Sequence, residues 1–468
     1  MTDRSHLPLA GVRVLELGNY IAAPTAGRML ADFGAEVVKI ERPGTGDELR
    51  NWRLQQGTTS LLYRTINRNK KSVALDLRSP AGLAAVKALV AQSDVVLENF
   101  RPGTLEKWGL GPEVLDALNP ELVLVRVSAF GQTGPLSARP GFAAVAEAYG
   151  GFRELVGDPD RPPTRVGVSI GDSIAGMQAA FGACMMLFER ERRRAEAAGS
   201  EAAEAAGAED SGTAESEAGR GTGVRPGTGE LSGTGESGAA APPRTVDVAL
   251  NEAMFSVMES LVPDYSAFGR LRTRTGGRTE GIAPSNAYVC AEGKSIVIAG
   301  NGDGIFRRYM EVIGRPDLAA DPDLQSNAQR WARRDELDAA IGAWAAEHTV
   351  DEALAALDGA GVPAGPIYTA VDILDDEQYR ARNMLQHFDV DTGDGVLTDV
   401  AFPGITPVIG GASVDIDHLG PDLGEHTREV LEAAGVEAGT IETILGGGEA
   451  DHEVGGARSA SGTEGGRR

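Results

Sequence analysis

Asp172 is the side chain whose setting most invites chemistry. It lies between Gly171 and a long apolar run in "RVGVSIGDSIAGMQAAFGACMMLFER", Arg165 to Arg190. A carboxylate is ionised at neutral pH and can act as a nucleophile without a partner base. Attack on a thioester would give a mixed acyl anhydride, which must then be kept from water. Aspartate is also a favoured helix N-cap. On residue type alone, the cap is the simpler reading of Asp172.

Other chemistries lack their signatures. The turn after the first strand reads "LELGNYIAAPTAG" rather than GxGxxG, which argues against NAD or FAD. No GxxxxGK[ST] loop occurs. The six histidines form no HxxxH pair, and Cys184 and Cys290 have no CxxC partner, so no metal site is expected. A net charge of -24 speaks against nucleic acid as a partner. "MTDRSHLPLAG" lacks the apolar core of a signal peptide, and no long uninterrupted apolar window follows. The expectation is a cytoplasmic protein with no membrane partner.

The elements that must position Asp172 alternate in type. "VRVLEL", "EVVKIE", "SVALDL", "DVVLEN" and "LVLVRVS" read as strands separated by helical stretches such as "PTAGRMLADFGA". That alternation predicts an α/β fold, with a Rossmann-like, doubly wound parallel sheet. Residues 1–194 form the N-terminal part of this large domain. Residues 195–243 are rich in Ala, Glu, Gly, Ser and Thr and read as a disordered insertion, with a marginal helix at the start. Residues 244–272 supply a return strand and a linker helix, and 273–368 a small α+β domain. Residues 369–446 return to the large domain, and 447–468 form a disordered tail.

In this order and spacing, several motifs are specific. The sequence resembles the family III CoA-transferases, which include formyl-CoA transferase and carnitine CoA-transferases. The resemblance rests on "LAGVRVLEL", "PTAGRMLADFGAEVVKIERPGTGD", "NRNKKSVALDL", "VVLENFRPGTLEKWGLG", "RPGFAAVAEAYGG", "GVSIGDSIAGM", "VDVALNEAMFSVME" and "PDLGEHTREVLEAAGV". It implies that Asp172 is the catalytic aspartate, passing through anhydride and aspartyl-CoA thioester intermediates. It also implies that coenzyme A is held by Tyr20, Ile21, Ala22, Arg42, Leu75, Arg78, Asn99, Phe100, Lys107 and Arg139. Cations suit the phosphates of CoA, and an apolar ledge suits its adenine.

Family members often carry Gln where Ile21 stands. Gly276 and Gly277 match a loop that closes over the aspartate, without the run of consecutive glycines found in formyl-CoA transferase. The resemblance further implies an acyl-CoA and a small carboxylic acid as substrates, no permanently bound cofactor, and a homodimer of interlocked rings. "GGFRELVGDPDRPPTRVGVSIGD" is closer to members that use succinyl-CoA and dicarboxylates. The related 2-methylacyl-CoA racemases place a histidine where Phe142 stands, and Phe142 cannot shuttle protons. A non-catalytic CoA-binding scaffold is the other alternative, against which the presence of Asp172, Arg42 and Asn99 counts.

Overall fold

Six short strands carry the apolar runs of the sequence: β1 (Arg13–Glu16), β2 (Glu36–Glu41), β3 (Lys70–Ala74), β4 (Val95–Glu98), β5 (Val123–Ser128) and β6 (Thr245–Ala249). In the computed structural model, which describes residues 4–209 and 244–450, they form one parallel sheet. Their order is β3-β2-β1-β4-β5-β6. β4 and β5 are buried throughout, as strands covered by helices on both faces must be. The order reverses between β1 and β4, and open α/β sheets bind ligands beyond the strand ends at such a point.

Four helices frame that point: α1 (Ala22–Asp32), α2 (Ala143–Tyr149), α3 (Ile170–Glu209) and α4 (Leu250–Ser256). The buried face of α3, with Ala175, Ala179, Ala183 and Leu187, joins a core shared with α1 and the sheet. The two helices touch at Gly176, where a Cβ would lie 2.7 Å from the Ala22 carbonyl oxygen. Over Ile170–Ser200, α3 is long and apolar enough to cross a membrane, with 44% of its most apolar window buried in the protein. Its helical path continues to Glu209, beyond the start expected for the insertion. Residues 210–243 of that insertion and 451–468 of the tail lie outside the described residues.

Beyond the large sheet, an antiparallel sheet of Ser285–Val289, Ser295–Ala299 and Ala364–Pro366 has its own core, including Ile296, Ile298, Phe306 and Leu357. A hairpin of Leu385–Asp391 and Val396–Pro403 packs with Phe33 and Leu61. The helices Thr427–Ala433 and Ala438–Ala450 then place Val430, Leu431 and Ile441 in the other core of the large sheet.

Charges are buried beneath the switch point. The Glu16 carboxylate, at the end of β1, accepts from Lys39 at 3.0 Å and from Lys70 at 2.7 Å, all three being essentially inaccessible. Burial lowers the Lys70 ammonium to about 8, against the pull of Glu16. Only glycine fits opposite this carboxylate, because a Cβ at Gly27 would lie 1.9 Å from Glu16 Oε2. Gly27→Ala will displace the carboxylate and leave buried ammonium charge unpaired, at a net cost of about 3 kcal/mol. A urea or thermal unfolding midpoint well below that of wild type checks this; an unchanged midpoint refutes it.

Candidate active site

The loop between β1 and α1 is held residue by residue. Lys39 Nζ donates to the Gly18 carbonyl at 2.6 Å, and Lys70 Nζ donates to the Pro24 carbonyl at 2.8 Å. Across the switch point, Asn99 Oδ1 accepts the Asn19 N–H at 2.9 Å, while its Nδ2 donates to the Asn19 carbonyl at 2.7 Å. Tyr20 adopts a left-handed φ of 65°, and its N–H is taken by Asp47 at 3.1 Å. Asp47 is itself paired with Lys39 at 2.8 Å. Such a conformation is costly for a bulky residue and persists when its surroundings impose it. After β4, Glu98 Oε2 accepts the Phe100 N–H at 2.7 Å and Oε1 accepts from Arg126.

This scaffold shapes a cavity of about 230 Å³ whose lining includes Tyr20, Ala22, Asn99, Phe142 and Asp172. α1 begins here with no side-chain cap, and its first residue, Ala22, lines the cavity at the positive end of the helix dipole. Asp172 lies within the first turn of α3, not at the N-cap position expected for it, because the helix already starts at Ile170. Among the described residues no group hydrogen-bonds its carboxylate. Its pKa rises from 3.8 to about 6, first through burial and then through the charge of Glu147, with Arg165 opposing.

Glu147, on α2, is completely buried. Its Cγ packs near Gly171, one residue before Asp172. Its Oε2 accepts from Arg153 at 2.7 Å, while its Oε1 has no partner. A buried carboxylate anchored by one arginine therefore sits behind Asp172 and raises the energy of its ionised form. Glu147 escaped the sequence reading because it falls inside "RPGFAAVAEAYGG" as one acidic residue on a helix.

A neighbouring cavity, also of about 230 Å³, collects other expected residues: Arg42, Leu75, Arg78 and Phe100. Arg42 pairs with Glu48, and Arg78 with Asp76 at 3.0 Å. Trp108, which sequence reasoning did not single out, stands edge-on to Phe100 at 5.0 Å in the same cavity. Phe100 lines both cavities, which therefore lie side by side. Ile21 is buried among Leu49 and Tyr63, and Lys107 is exposed outside both linings. Arg139 lies in the Asp172 cavity rather than with Arg42 and Arg78. Gly276 and Gly277 rest near Gly157 and Asn286 and line neither cavity.

An unpartnered, destabilised carboxylate beside an uncapped helix start is arranged for attack on a carbonyl whose oxygen becomes negative. A sequence profile of CoA-transferase family III matches residues 9–200 and 237–427. The chain belongs to CoA-transferase family III. This CoA-transferase is 41% identical, over 92% of its length and 94% of the relative's, to the succinyl-CoA–D-citramalate CoA-transferase of Chloroflexus aurantiacus. It is 34% identical, over 92% of its length and 89% of the relative's, to the alpha subunit of a succinyl-CoA–L-malate CoA-transferase of the same species. A crystal structure of a CaiB/BaiF family protein from Brucella suis superposes with a TM-score of 0.71 at 29% identity, covering 92% of this chain and 99% of that one.

The strained ionisation of Asp172 has a thermodynamic signature. A carboxyl raised from 3.8 to about 6 contributes stability that is present below pH 3.8 and lost as pH rises through 6. Asp172→Asn will therefore stabilise this CoA-transferase by about 3 kcal/mol at pH 7.5, a gain that vanishes near pH 4. Unfolding midpoints of both proteins across that range check it; a destabilised variant at pH 7.5 contradicts it.

Proposed function

We propose that the protein transfers CoA from succinyl-CoA to a small dicarboxylic acid, with Asp172 as the covalent carrier. The carrying observation is Asp172 itself: a partly exposed carboxylate with no hydrogen-bond donor among the described residues, raised by burial and Glu147, in a cavity beside one lined by arginines and aromatic rings. An Asp172 oxygen attacks the thioester carbonyl carbon, the oxyanion forms near the first turn of α1, and the C–S bond breaks. Products are the aspartyl–acyl anhydride and CoA thiolate. The thiolate attacks Asp172 Cγ, releasing the donor acid and leaving aspartyl-CoA. Acceptor carboxylate then displaces the thiolate to form the second anhydride. The thiolate attacks its acyl carbon, giving the new acyl-CoA and free Asp172.

No proton enters or leaves this sequence. Accordingly the cavity lining holds no histidine among the described residues, and Phe142 stands at its mouth, 67% exposed. That favours transfer over racemisation, which needs two proton-exchanging groups. The nucleotide end of CoA is assigned to the Arg42–Arg78 cavity, its adenine against Phe100 and Trp108 and its phosphates near the guanidinium groups. Succinyl-CoA as donor is supported by the relatives named for it. Asn99 acts in this reading by holding Asn19 rather than by touching CoA.

A homodimer belongs to the same proposal. Met177, Phe181, Met185 and Phe188 form an exposed apolar stripe along one face of α3. Exposed apolar groups in a contiguous row mark a surface meant to be covered. A second copy of this chain is the occupant proposed for it. Phe181→Asp will shift the species seen in sedimentation toward monomer, whereas an unshifted species removes this face from the interface.

Covalent chemistry is checked by trapping. Incubation with succinyl-CoA and hydroxylamine will leave a hydroxamate on the peptide containing Asp172, and none will form in Asp172→Ala. CoA binding without any modified peptide would reduce Asp172 to a structural residue.

A further inference from the structure

Arg139 is placed unlike Arg42, Arg78 and Arg153. Arg42, Arg78 and Arg153 each have a carboxylate partner. Arg139 has none among the described residues, and it lines the cavity of Asp172. Its Nη1 donates to Tyr149 Oη at 2.6 Å, and its guanidinium carbon lies 5.5 Å from the centre of the Tyr149 ring. The Tyr149 ring stands edge-on to Phe130 at 5.0 Å, which fixes it in turn. A neutral partner thus aims the guanidinium without consuming its charge.

The charge count of the cavity points the same way. Its lining holds two guanidinium groups, Arg101 and Arg139, against one carboxylate, Asp172. Acylation of Asp172 removes that one negative charge and leaves the cations uncompensated. The wall also carries Ser128, 6% exposed, whose hydroxyl has no hydrogen-bond partner. Arg101 shares the lining, but among the described residues no side chain holds it as Tyr149 holds Arg139. At about 230 Å³ the cavity is smaller than the roughly 300–1,000 Å³ of a drug-sized pocket and suits a short acyl chain.

We propose that Arg139, braced by Tyr149, binds the distal carboxylate of the acyl group and makes the enzyme selective for dicarboxylic over monocarboxylic acyl chains. The inference rests on the CoA-transfer reading of Asp172. It departs from the expectation that Arg139 serves CoA itself. Guanidinium and carboxylate form two parallel charge-assisted hydrogen bonds, a geometry a methyl terminus cannot offer. A donor and an acceptor that both end in carboxylate would use the same anchor in the two halves of the reaction.

The test compares succinyl-CoA with butyryl-CoA, which carries a methyl where succinyl carries its free carboxylate. The full chain is mixed with subsaturating thioester and hydroxylamine, and the rate of hydroxamate formation at Asp172 is measured. Wild type will favour succinyl-CoA by at least tenfold. In Arg139→Met the ratio of the two rates will fall at least tenfold, Arg139→Lys will keep part of the preference, and Tyr149→Phe will lie between them. Equal losses with both thioesters would return Arg139 to CoA binding or folding and overturn the proposal. So would a wild-type enzyme that labels equally with both. If wild type binds CoA but labels with neither thioester, the CoA-transfer reading itself fails, and this assignment falls with it.

Discussion

One buried carboxylate, Glu16, holds the architecture of the site together. It ends the central strand β1 and is divided between two ammonium groups, Lys39 from β2 and Lys70 from β3. Each lysine spends a further proton on a backbone carbonyl, Lys39 on Gly18 and Lys70 on Pro24. The loop between those carbonyls carries Tyr20, Ala22 and the uncapped start of α1. Buried ion pairs are weak sources of net stability, because desolvation offsets their attraction. Here the arrangement fixes position. Three strands and the intervening loop are locked to one point, and Asp47 and Asn99 hold the remaining backbone groups.

On that scaffold the proposed nucleophile, Asp172, is set by environment rather than by a base. Burial and Glu147 both raise the ionised form of Asp172. In the proposed mechanism acylation neutralises the carboxylate and removes both penalties at once, which favours the covalent states relative to the free enzyme. The positive end of α1 faces the same space. Charge that is unwelcome on Asp172 is thereby welcome on the oxygen of the attacked carbonyl, which is differential stabilisation in the direction catalysis requires.

Much of this was legible in the sequence, for definite reasons. Strands buried on both faces leave unbroken apolar runs, so "LVLVRVS" announced β5 and "SVALDL" announced β3. Asp172 was legible only through the resemblance, since residue type alone favoured a cap. Helix α3 begins three residues earlier than an Asp172 N-cap would require, at Ile170, which puts Asp172 inside the first turn. Asn99 was assigned to CoA through the resemblance; its two hydrogen bonds to Asn19 depend on the parallel pairing of β1 with β4, which spacing does not encode. Glu147 and Tyr149 were missed for the same reason. Each acquires its role from what α2 packs against.

The most direct test of the account follows oxygen rather than CoA. In a single turnover with an acceptor acid labelled in both carboxylate oxygens with oxygen-18, the bridging oxygen of the second anhydride stays with the enzyme when thiolate attacks the acyl carbon. The account predicts one heavy oxygen in the peptide containing Asp172 after each turnover, located on that side chain by fragmentation. Product acyl-CoA formed with no label in the peptide would show direct transfer between thioester and acid, and would contradict Asp172 as the carrier.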